Sequence, residues 1–327
     1  MKTIIFKIKP TVLSYASIVG KKEGAGPYGK CFDRVVNDEY FGEKTWERAE
    51  TTLLKQTSQL AMKKIGFTKE NLGCILSGDL INQCTPSAFA MRDSDAVFFG
   101  LYGACSSMAE SITIGSMLVS GGFTDTALCA TSSHFCTAEK QYRTPLEYGG
   151  QRTPTAQWTV TGSGSVILGH GGKISVESVT PGRIVDMGIK DANNMGGAMA
   201  PAFADTLKRH FEDTNRSPSY YDMIISGDLG YTGKDIVRDI LKKEGISLGD
   251  NYDDCGAMIF EKEQDSHSGG SGCGCCASML CGYILPSLEN GRLHRVLFAA
   301  TGALLSPITT MQGESIPSIS HAVAFEV

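Results

Sequence analysis

The chain has 327 residues, 42% of them hydrophobic, and a formal net charge of −5 with both signs mixed along its length. That length supports a sizeable core without disulfide bonds, and the lack of a basic, aromatic-rich stripe argues against nucleic acid as a partner. Many of the eleven cysteines lie in apolar runs such as LGCIL and ALCAT. Because the sequence shows neither a signal-peptide pattern nor an apolar stretch that could span a bilayer, it predicts a cytoplasmic protein in a reducing compartment.

A short motif, Ser-Gly-Asp-Leu, occurs at residues 77–80 and again at 226–229, each time after an apolar run. In both halves a small-residue helix and a further apolar strand follow. The segments are GACSSMAESITIGSMLVSGGF and TALCATSSH in the first half, and GSGCGCCASMLCGYILPSLENG and RVLFAATGALLS in the second. This alternation is typical of α/β units with a parallel-biased sheet. The alternative is a chance similarity of glycine-rich turns. The order of the matches favours two pseudo-symmetric halves, residues 1–170 and 171–327, in a five-layer α-β-α-β-α sandwich.

The first central helix is predicted from about Cys105 to Ser120. Its small and apolar residues include a single charge, Glu110, so the helix should be buried on nearly all sides. Cys105 at its start should lie near unpaired backbone N–H groups, whose partial positive charge favours a thiolate. Cys105 is therefore a candidate nucleophile, and the alternative is a small buried apolar residue.

Acidic residues follow the strands that carry the repeated motif. Asp79 and Asp228 leave equivalent strands, and the carboxyl ends of strands are where α/β folds gather ligands. The alternative role is turn chemistry, in which aspartate caps the next segment, and we favour it for at least one of the two. A third loop, DDCG, offers Asp254 and Cys255.

Two histidines lie in apolar strands. His134 ends the strand after the first central helix, and His321 lies in the final strand. Each either lines the site or is a hydrogen-bonded core residue, and His321 is the stronger candidate. The other four are predicted to lie on the surface because polar or turn sequence surrounds them: His170, His210, His267 and His294.

The CGCC segment from Cys273 to Cys276 contains a Cys-x-x-Cys spacing. A zinc or redox role requires a second ligand pair at a workable spacing, and none is evident. The glycine and alanine neighbours favour tight helix packing instead. GSGCG is too weak a pattern for a dinucleotide site, so no cofactor is predicted.

The duplicated halves, the GACSSMAES helix start and the terminal SISHAVAFE resemble the thiolase superfamily, whose condensing enzymes carry a nucleophilic cysteine at the start of the first buried helix. More narrowly, the chain resembles the stage V sporulation protein AD family of endospore-forming bacteria over nearly its whole length. The motifs are SGDLINQ, FGACSSMAESI, GGFTDTALCATSSH, EYGGQRTPTAQWTVTGSG, NNMGGAMAPAFADT, DDCGAMIF and ATGALLSP.

This resemblance implies a thiolase-like protein that binds pyridine-2,6-dicarboxylic acid (dipicolinic acid) for its uptake into the developing spore and its release in germination. It implies a place beside the membrane proteins of the same operon, peripheral at the spore inner membrane. Relatives with duplicated halves pair through the edge of the first sheet, so a homodimer is expected. The resemblance also puts His321, Asp254 and Cys255 near the pocket.

Condensing enzymes supply histidine and either asparagine or histidine from the second half of the fold. This chain has Gly227-Asp228 at the first of these places and Cys273 at the second. A carboxylate and a thiol do not donate to an oxyanion at neutral pH as imidazole or amide does. That departure favours a binding protein over the alternative, an acyl-CoA or acyl-carrier condensing enzyme that uses Cys105 with His321.

A dianionic pyridine dicarboxylate requires guanidinium groups or amide nests and an apolar slot for its ring. The candidates are Arg92, Arg143 and Arg152, with backbone donors in EYGGQ and GGSG. Ordinary solvated charge is the alternative for each arginine. If the ligand arrives as its calcium chelate, the three acids at 79, 228 and 254 are candidate oxygen ligands. The sequence leaves both modes open.

Overall fold

The computed structural model describes residues 1–142 and 152–327, which form fourteen strands and eleven α-helices. The strands are β1 Ile4–Ile5, β2 Thr11–Gly20, β3 Arg34–Val36, β4 Cys74–Gly78, β5 Val97–Gly100, β6 Ala127–Ser133, β7 Trp158–Thr159, β8 Gly162–Gly169, β9 Ile174–Thr180, β10 Met223–Ser226, β11 Tyr252–Asp254, β12 Gly270–Ser271, β13 Arg295–Ala303 and β14 Ser318–Glu326. The helices are α1 Lys21–Gly24, α2 Trp46–Lys64, α3 Thr85–Met91, α4 Ser107–Ser120, α5 Phe135–Tyr142, α6 Met195–Thr214, α7 Gly230–Lys243, α8 Cys255–Ile259, α9 Cys273–Met279, α10 Leu285–Glu289 and α11 Pro307–Met311.

The sheet repeats one pattern of strand pairing in both halves of the chain. In the first half the order is β2-β8-β6-β4-β5, and in the second it is β9-β14-β13-β10-β11. Each series begins with two antiparallel pairings and ends with two parallel ones. A short antiparallel contact between β2 and β9 joins the two series. The repeated topology explains why Ser-Gly-Asp-Leu follows β4 and β10 in the same way.

The two series of strands enclose a central layer of helices. α4 packs on β4 and β6 of the first half and on β13 and β14 of the second, while α9 packs on β6 and β8. α2 covers the outer face of the first half, and α6 and α7 cover the second. The predicted five-layer sandwich is confirmed. The division at residue 170 stays a prediction, because β1 and β7 pair with strands of the other half.

The central helices are buried because their small residues allow close approach. Met108 and Ile112 of α4 are fully buried, and each such side chain contributes roughly 1.5–3 kcal/mol by leaving water. A Cβ added at Gly164 in β8 would lie 2.2 Å from the Ala277 carbonyl oxygen of α9, so only glycine fits there. After α9 the chain continues as a π-helical segment, Leu280–Ile284, into α10. Within the described residues, none of the helices combines the length and hydropathy needed to cross a bilayer.

Candidate ligand pocket

A pocket lies beside Cys105, between the two halves of the fold. Its walls come from the loop after β4, the turn before α4, α5, the segment around β7, the start of α6 and the ends of β12 and β13. The described lining residues are Leu80, Ala104, Cys105, Ala138, Glu139, Tyr142, Ala156, Gln157, Thr159, Ala192, Asn193, Met195, Ser271, Ala303 and Leu305. Most are apolar, and polar groups are few, which is typical of small-molecule sites.

Cys105 lies in a 3₁₀ turn, Ala104–Ser106, immediately before α4. The helix therefore begins two residues later than predicted. Ala104 has a φ of 50°, a left-handed conformation that non-glycine residues rarely adopt. The turn approaches β13 closely, because a Cβ at Gly302 would lie 2.0 Å from the Gly103 carbonyl oxygen. This packing fixes Cys105 at the contact between the two halves, where it is 6% exposed.

The thiol of Cys105 lies beside the carboxylate of Asp228, and the two groups shift each other's pKa. That carboxylate is fully buried and also accepts from Thr301 Oγ1 at 3.0 Å, from Ser271 Oγ at 3.1 Å and from the Gly272 N–H at 2.9 Å. Burial raises the pKa of Asp228, and these donors oppose the rise. The second copy of the repeated motif thus contacts the cysteine directly.

This contact changes the chemistry expected of Cys105. Burial raises the pKa of its thiol well above the ordinary value, and the adjacent carboxylate of Asp228 raises it further. The expectation that the helix N-terminus favours a thiolate is wrong, because desolvation and a nearby negative charge both favour the neutral form. Cys105 is a protonated thiol at neutral pH.

Two further cysteines of α9 lie close to Cys105. Cys273 packs against it together with Leu80 and Ala138, and its thiol donates to the Ser132 carbonyl oxygen at 2.9 Å. The thiol of Cys276 donates to the Cys105 carbonyl oxygen at 3.5 Å. Burial raises the pKa of both thiols well above the ordinary value. Across residues 1–142 and 152–327, no cluster of His, Cys, Asp and Glu side chains is arranged to hold a metal ion.

Asp79 caps its own loop. One carboxylate oxygen accepts from the Ile81 N–H at 2.8 Å, and the other accepts from the N–H and hydroxyl of Ser87 at 2.9 and 2.6 Å. The alternative of turn chemistry applies to this aspartate. Its neighbour Leu80, and not Asp79 itself, lines the pocket.

Asp254 is the N-cap of α8, where its side chain accepts from the Ala257 N–H. It also accepts from Ser226 Oγ at 2.7 Å and from the N–H groups of Leu229 and Gly230. Burial raises the pKa of Asp254 to about 7. Cys255 follows it in the core, and the pocket-lining residues include neither. Like Asp79 and Asp228, Asp254 has hydrogen-bond donors on both carboxylate oxygens. This arrangement opposes the calcium coordination considered for the three acids.

His134 and His321 are both buried, and the described pocket lining includes neither ring. His134 Nε2 contacts the Glu39 carbonyl oxygen at 2.8 Å, and Nδ1 accepts from the Cys136 N–H at the start of α5. His321 Nδ1 accepts from the Gly182 N–H at 3.1 Å, while its buried Nε2 has no hydrogen-bond partner among the residues that the structure describes. Burial lowers the pKa of His321 to about 4, so the ring is neutral. A role for either ring in ligand binding stays a prediction.

One prediction about the remaining histidines is wrong. His210 lies inside α6 and is fully buried, with Nδ1 at 2.7 Å from Thr180 Oγ1 and Nε2 at 2.5 Å from the Tyr221 hydroxyl. The polar residues around it in sequence occupy the outer face of the helix, whereas His210 occupies the face packed on the sheet. His170 and His294 are exposed, and His267 is partly so.

The predicted cationic groups lie in different places. Arg92 is exposed at the end of α3, and Arg143 falls outside the described residues, as does the EYGGQ segment. Arg152 donates to Glu139 Oε1 at 3.1 Å and stacks on Trp158, with 4.3 Å from Cζ to the ring centroid. Of the described lining residues, Glu139 is the one with a formal charge. In GGSG, the Gly272 N–H is already bound to Asp228.

Several pocket residues were not predicted. Tyr142 donates its hydroxyl to the Leu80 carbonyl oxygen at 2.6 Å. Glu139, Gln157 and Asn193 supply polar groups to the lining. The one signal for Gln157 was its place inside the AQWTV stretch of a family motif, and the signal for Tyr142 was its helical spacing from Ala138. Neither signal distinguishes a pocket residue from an ordinary one.

Comparison with solved structures defines the class of fold. The chain superposes with TM-scores of 0.63, 0.59 and 0.58 on a variant of OleA from Xanthomonas campestris, on human mitochondrial 3-ketoacyl-CoA thiolase and on 3-oxoacyl-[acyl-carrier-protein] synthase III from Aquifex aeolicus. The OleA variant is 11% identical to this chain, with 99% of this chain and 100% of OleA covered. The human thiolase is 10% identical, with 98% of each chain covered. The synthase is 10% identical, with 97% of this chain and 100% of the synthase covered. The fold is therefore thiolase-like.

The sequence itself identifies the family. The model of the stage V sporulation protein AD family matches residues 1–326. The chain is 44% identical to stage V sporulation protein AD of Bacillus subtilis (strain 168) over 326 residues, which cover 99% of this chain and 96% of that protein. The chain belongs to the stage V sporulation protein AD family, as the motifs predicted.

Proposed function

We propose that this sporulation protein binds dipicolinic acid, or its calcium chelate, in the pocket beside Cys105, for uptake into the developing spore and release in germination. The observation that carries the proposal is the burial of the Cys105 thiol beside the Asp228 carboxylate, since burial and the nearby charge both raise the pKa of the thiol. The protein retains the pocket and the cysteine of a condensing enzyme but holds that cysteine as a neutral thiol. Such a site suits binding better than covalent acyl transfer.

The apolar part of the lining supports a ligand with an aromatic ring. Leu80, Ala138, Ala303 and Leu305 provide apolar contacts for a ring, and Asn193 offers amide groups at the edge. Glu139, the one charged residue of the described lining, is paired with Arg152 at 3.1 Å from Oε1 to Nη2. The free diacid and its calcium chelate therefore both stay within the proposal.

The direct test is calorimetric titration of the purified protein with dipicolinic acid, with and without calcium. We expect saturable heat with the wild-type protein and its loss in Leu305→Trp, where the larger ring fills the pocket. Leu304→Trp is the matched control, because the neighbouring leucine does not line the pocket. Absence of heat at millimolar ligand for the wild-type protein would remove the proposal.

The second candidate is an active condensing enzyme, favoured by the fold it shares with a thiolase and a 3-oxoacyl synthase. It requires the Cys105 thiolate and donors for the oxyanion, whereas the groups around its sulfur are the Asp228 carboxylate and the thiol of Cys273. Incubation with acetyl-CoA followed by intact-mass measurement separates the two candidates. An acetyl group on Cys105 that is absent from Cys105→Ala would support the enzyme.

We also propose that the chain forms a homodimer through the free edge of β5. Val97, Phe98 and Phe99 of this strand are exposed, as is Phe123 nearby. An exposed apolar strand edge normally pairs with another strand. Pairing of two copies would cover it.

For its location we propose a peripheral position on the spore inner membrane, beside the membrane proteins of the same operon. The segment before β2 offers a surface of suitable chemistry, with Met1, Ile5 and Ile8 exposed next to the exposed lysines Lys2 and Lys7. Apolar side chains interleaved with cations match the interface of an anionic lipid layer.

A further inference from the structure

A partly exposed stripe of the central helix α4 lies next to the edge strand β5. Its residues are Glu110, Ile114, Met117 and Leu118. The helix runs back along the strand, because Glu110 lies at one end of β5 and Leu118 at the other. A Cβ added at Gly103, which follows β5, would lie 2.6 Å from Glu110 Oε2. Leu118 instead lines a groove with Val97 and Phe99. The stripe and the strand therefore form one continuous surface.

The carboxyl group of Glu110 has an oxygen without a hydrogen-bond partner. Oε2 is buried and accepts no hydrogen bond from the residues that the structure describes. Burial raises the pKa of this carboxyl. The nearby Cys84 thiol has a pKa raised by burial to about 11, so it is neutral and offers no compensating charge. Because the ionised form of Glu110 is poorly solvated and unpaired, any further burial favours the protonated form.

Two-fold pairing of β5 determines what Glu110 meets in a second copy of the chain. β5 is the last strand of its series, so its outer edge is unpaired. In an antiparallel pair of identical strands, the end at Gly100 lies against the end at Val97 of the other copy. The two-fold axis is perpendicular to the sheet, so each face continues into the same face of the second copy. Glu110 therefore lies next to the end of the second copy's α4 that carries Leu118.

That end of the second copy offers apolar and acidic groups. The groove there is lined by Glu70, Asn71, Leu72, Gly73, Cys74, Val97, Phe99, Leu118, Phe123, Thr124, Asp125 and Thr126. The ring of Phe123 is 82% exposed in the single chain. Hydrogen bonding to Thr68 lowers the pKa of Glu70, so this acid is ionised. The described lining holds two acids and neither lysine nor arginine, so it has no cation to pair with an incoming carboxylate.

We infer that two copies of this chain associate through the α4 stripe together with β5, and that Glu110 enters the interface protonated. The inference rests on the proposed homodimer and specifies how protons control it. Association takes up one proton for each Glu110 that is ionised in the single chain, which is up to two for each dimer. Acidic pH therefore favours the dimer, and alkaline pH favours the single chain.

Sedimentation equilibrium of the wild-type protein between about pH 6 and 8 measures the dissociation constant of the dimer. We expect this constant to increase with pH, by up to about a hundredfold per unit, because two protons are exchanged. A dimer whose dissociation constant does not change with pH would overturn the inference and leave the homodimer standing. A single chain at every pH would remove the homodimer and the inference with it.

The variant Glu110→Gln keeps the shape of the side chain and cannot ionise. At about pH 8 its dimer should dissociate less than the wild-type dimer, and its dissociation constant should be nearly independent of pH. Asp125→Asn is the matched control, because it removes another acid of the same surface and should keep the pH dependence. A dependence that survives in Glu110→Gln would contradict the assignment. If that variant does not fold, loss of the dependence in Asp125→Asn would overturn the assignment, and its retention would support Glu110.

Discussion

The Cys105 thiol and the Asp228 carboxylate lie side by side, both buried, at the contact between the two halves of the fold. Asp79, the equivalent residue in the first half, binds its own loop through Ile81 and Ser87. The same motif therefore has two uses in one chain. In the first half it stabilises a turn, and in the second half its carboxylate adds to the effect of burial in raising the pKa of the Cys105 thiol.

Removing the charge of Asp228 should make Cys105 more reactive. In Asp228→Asn the thiol loses the negative neighbour that raises its pKa, although burial still opposes ionisation. We expect alkylation by iodoacetamide at slightly alkaline pH to become faster, because the lower pKa leaves a larger fraction of Cys105 as the reactive thiolate. Peptide mass mapping reads the rate at Cys105 against exposed Cys31 as an internal reference. Asp253→Asn is the control, and an unchanged rate in Asp228→Asn would contradict the account.

The fold could be predicted because its signals are long and repeated. Many residues contribute to each signal: the small-residue pattern of α4, the apolar strands on either side of it, and the repeat of this pattern in the second half. Together they specify burial on several sides, which only a layered sandwich provides. The start of α4 was misplaced by two residues because the 3₁₀ turn at Ala104–Ser106 continues the same composition.

The site could not be predicted to the same depth, because each of its roles depends on contacts between distant residues. Asp254 and Asp228 look alike in sequence, yet one caps α8 and the other contacts Cys105. The fixed amide of Gln157 depends on carbonyls of residues 228 and 270. His210 was misassigned because helix orientation, and not its polar neighbours, buried it.

The stability of the protein should fall as pH rises from about 7 to 8, because of Glu50. Burial raises the pKa of this carboxyl to about 8, and the nearby charge of Asp79 adds to the rise. Above the ordinary glutamate pKa the unfolded chain therefore binds fewer protons than the folded protein, and the free energy of unfolding decreases with pH by up to about 1.4 kcal/mol per unit. The raised pKa values of Glu23 and Asp254, about 7 each, act in the same direction at lower pH.

Buried histidines change the free energy of unfolding with pH in the opposite direction and over a lower pH range. Burial lowers the pKa of His210 and His321 to about 4, so stability due to them increases from about pH 4 to 6.5 and is complete by neutrality. Urea unfolding between about pH 7 and 8 isolates the carboxyl effect. We expect Glu50→Gln to flatten the decline, and exposed Glu263→Gln to leave it unchanged. A wild-type curve that rises over this range would refute the assignment.

The proposed homodimer predicts a specific change in mass. Light scattering of the wild-type protein should give twice the mass of one chain, and the double variant Val97→Glu, Phe99→Glu should give a single chain. Like charges placed on both copies of a paired edge repel, and the apolar contact is lost. Ile308→Glu, a change at another exposed apolar position, should leave the dimer intact. A wild-type protein with the mass of one chain would exclude the dimer.

The proposed membrane-facing surface, formed by the exposed residues 1, 2, 5, 7 and 8, predicts binding to lipid vesicles without any partner protein. The wild-type protein should sediment with vesicles of mixed phosphatidylglycerol and phosphatidylcholine and much less with pure phosphatidylcholine. Replacing Lys2 and Lys7 by alanine should weaken the partition by roughly 30-fold, at about 1 kcal/mol for each lysine near an anionic surface. Ile5→Ser with Ile8→Ser should weaken it at all salt concentrations, whereas the lysine contribution should disappear at high salt because ions screen it.

Lys242 and Lys243, exposed at the end of α7, provide the matched control pair. If replacing either pair of lysines weakens binding equally, the attraction to lipid is a property of overall charge and not of the N-terminal segment. If the wild-type protein binds no vesicle, the N-terminal segment is not a lipid-binding surface, and a location at the membrane would require the operon's membrane proteins as the docking partner.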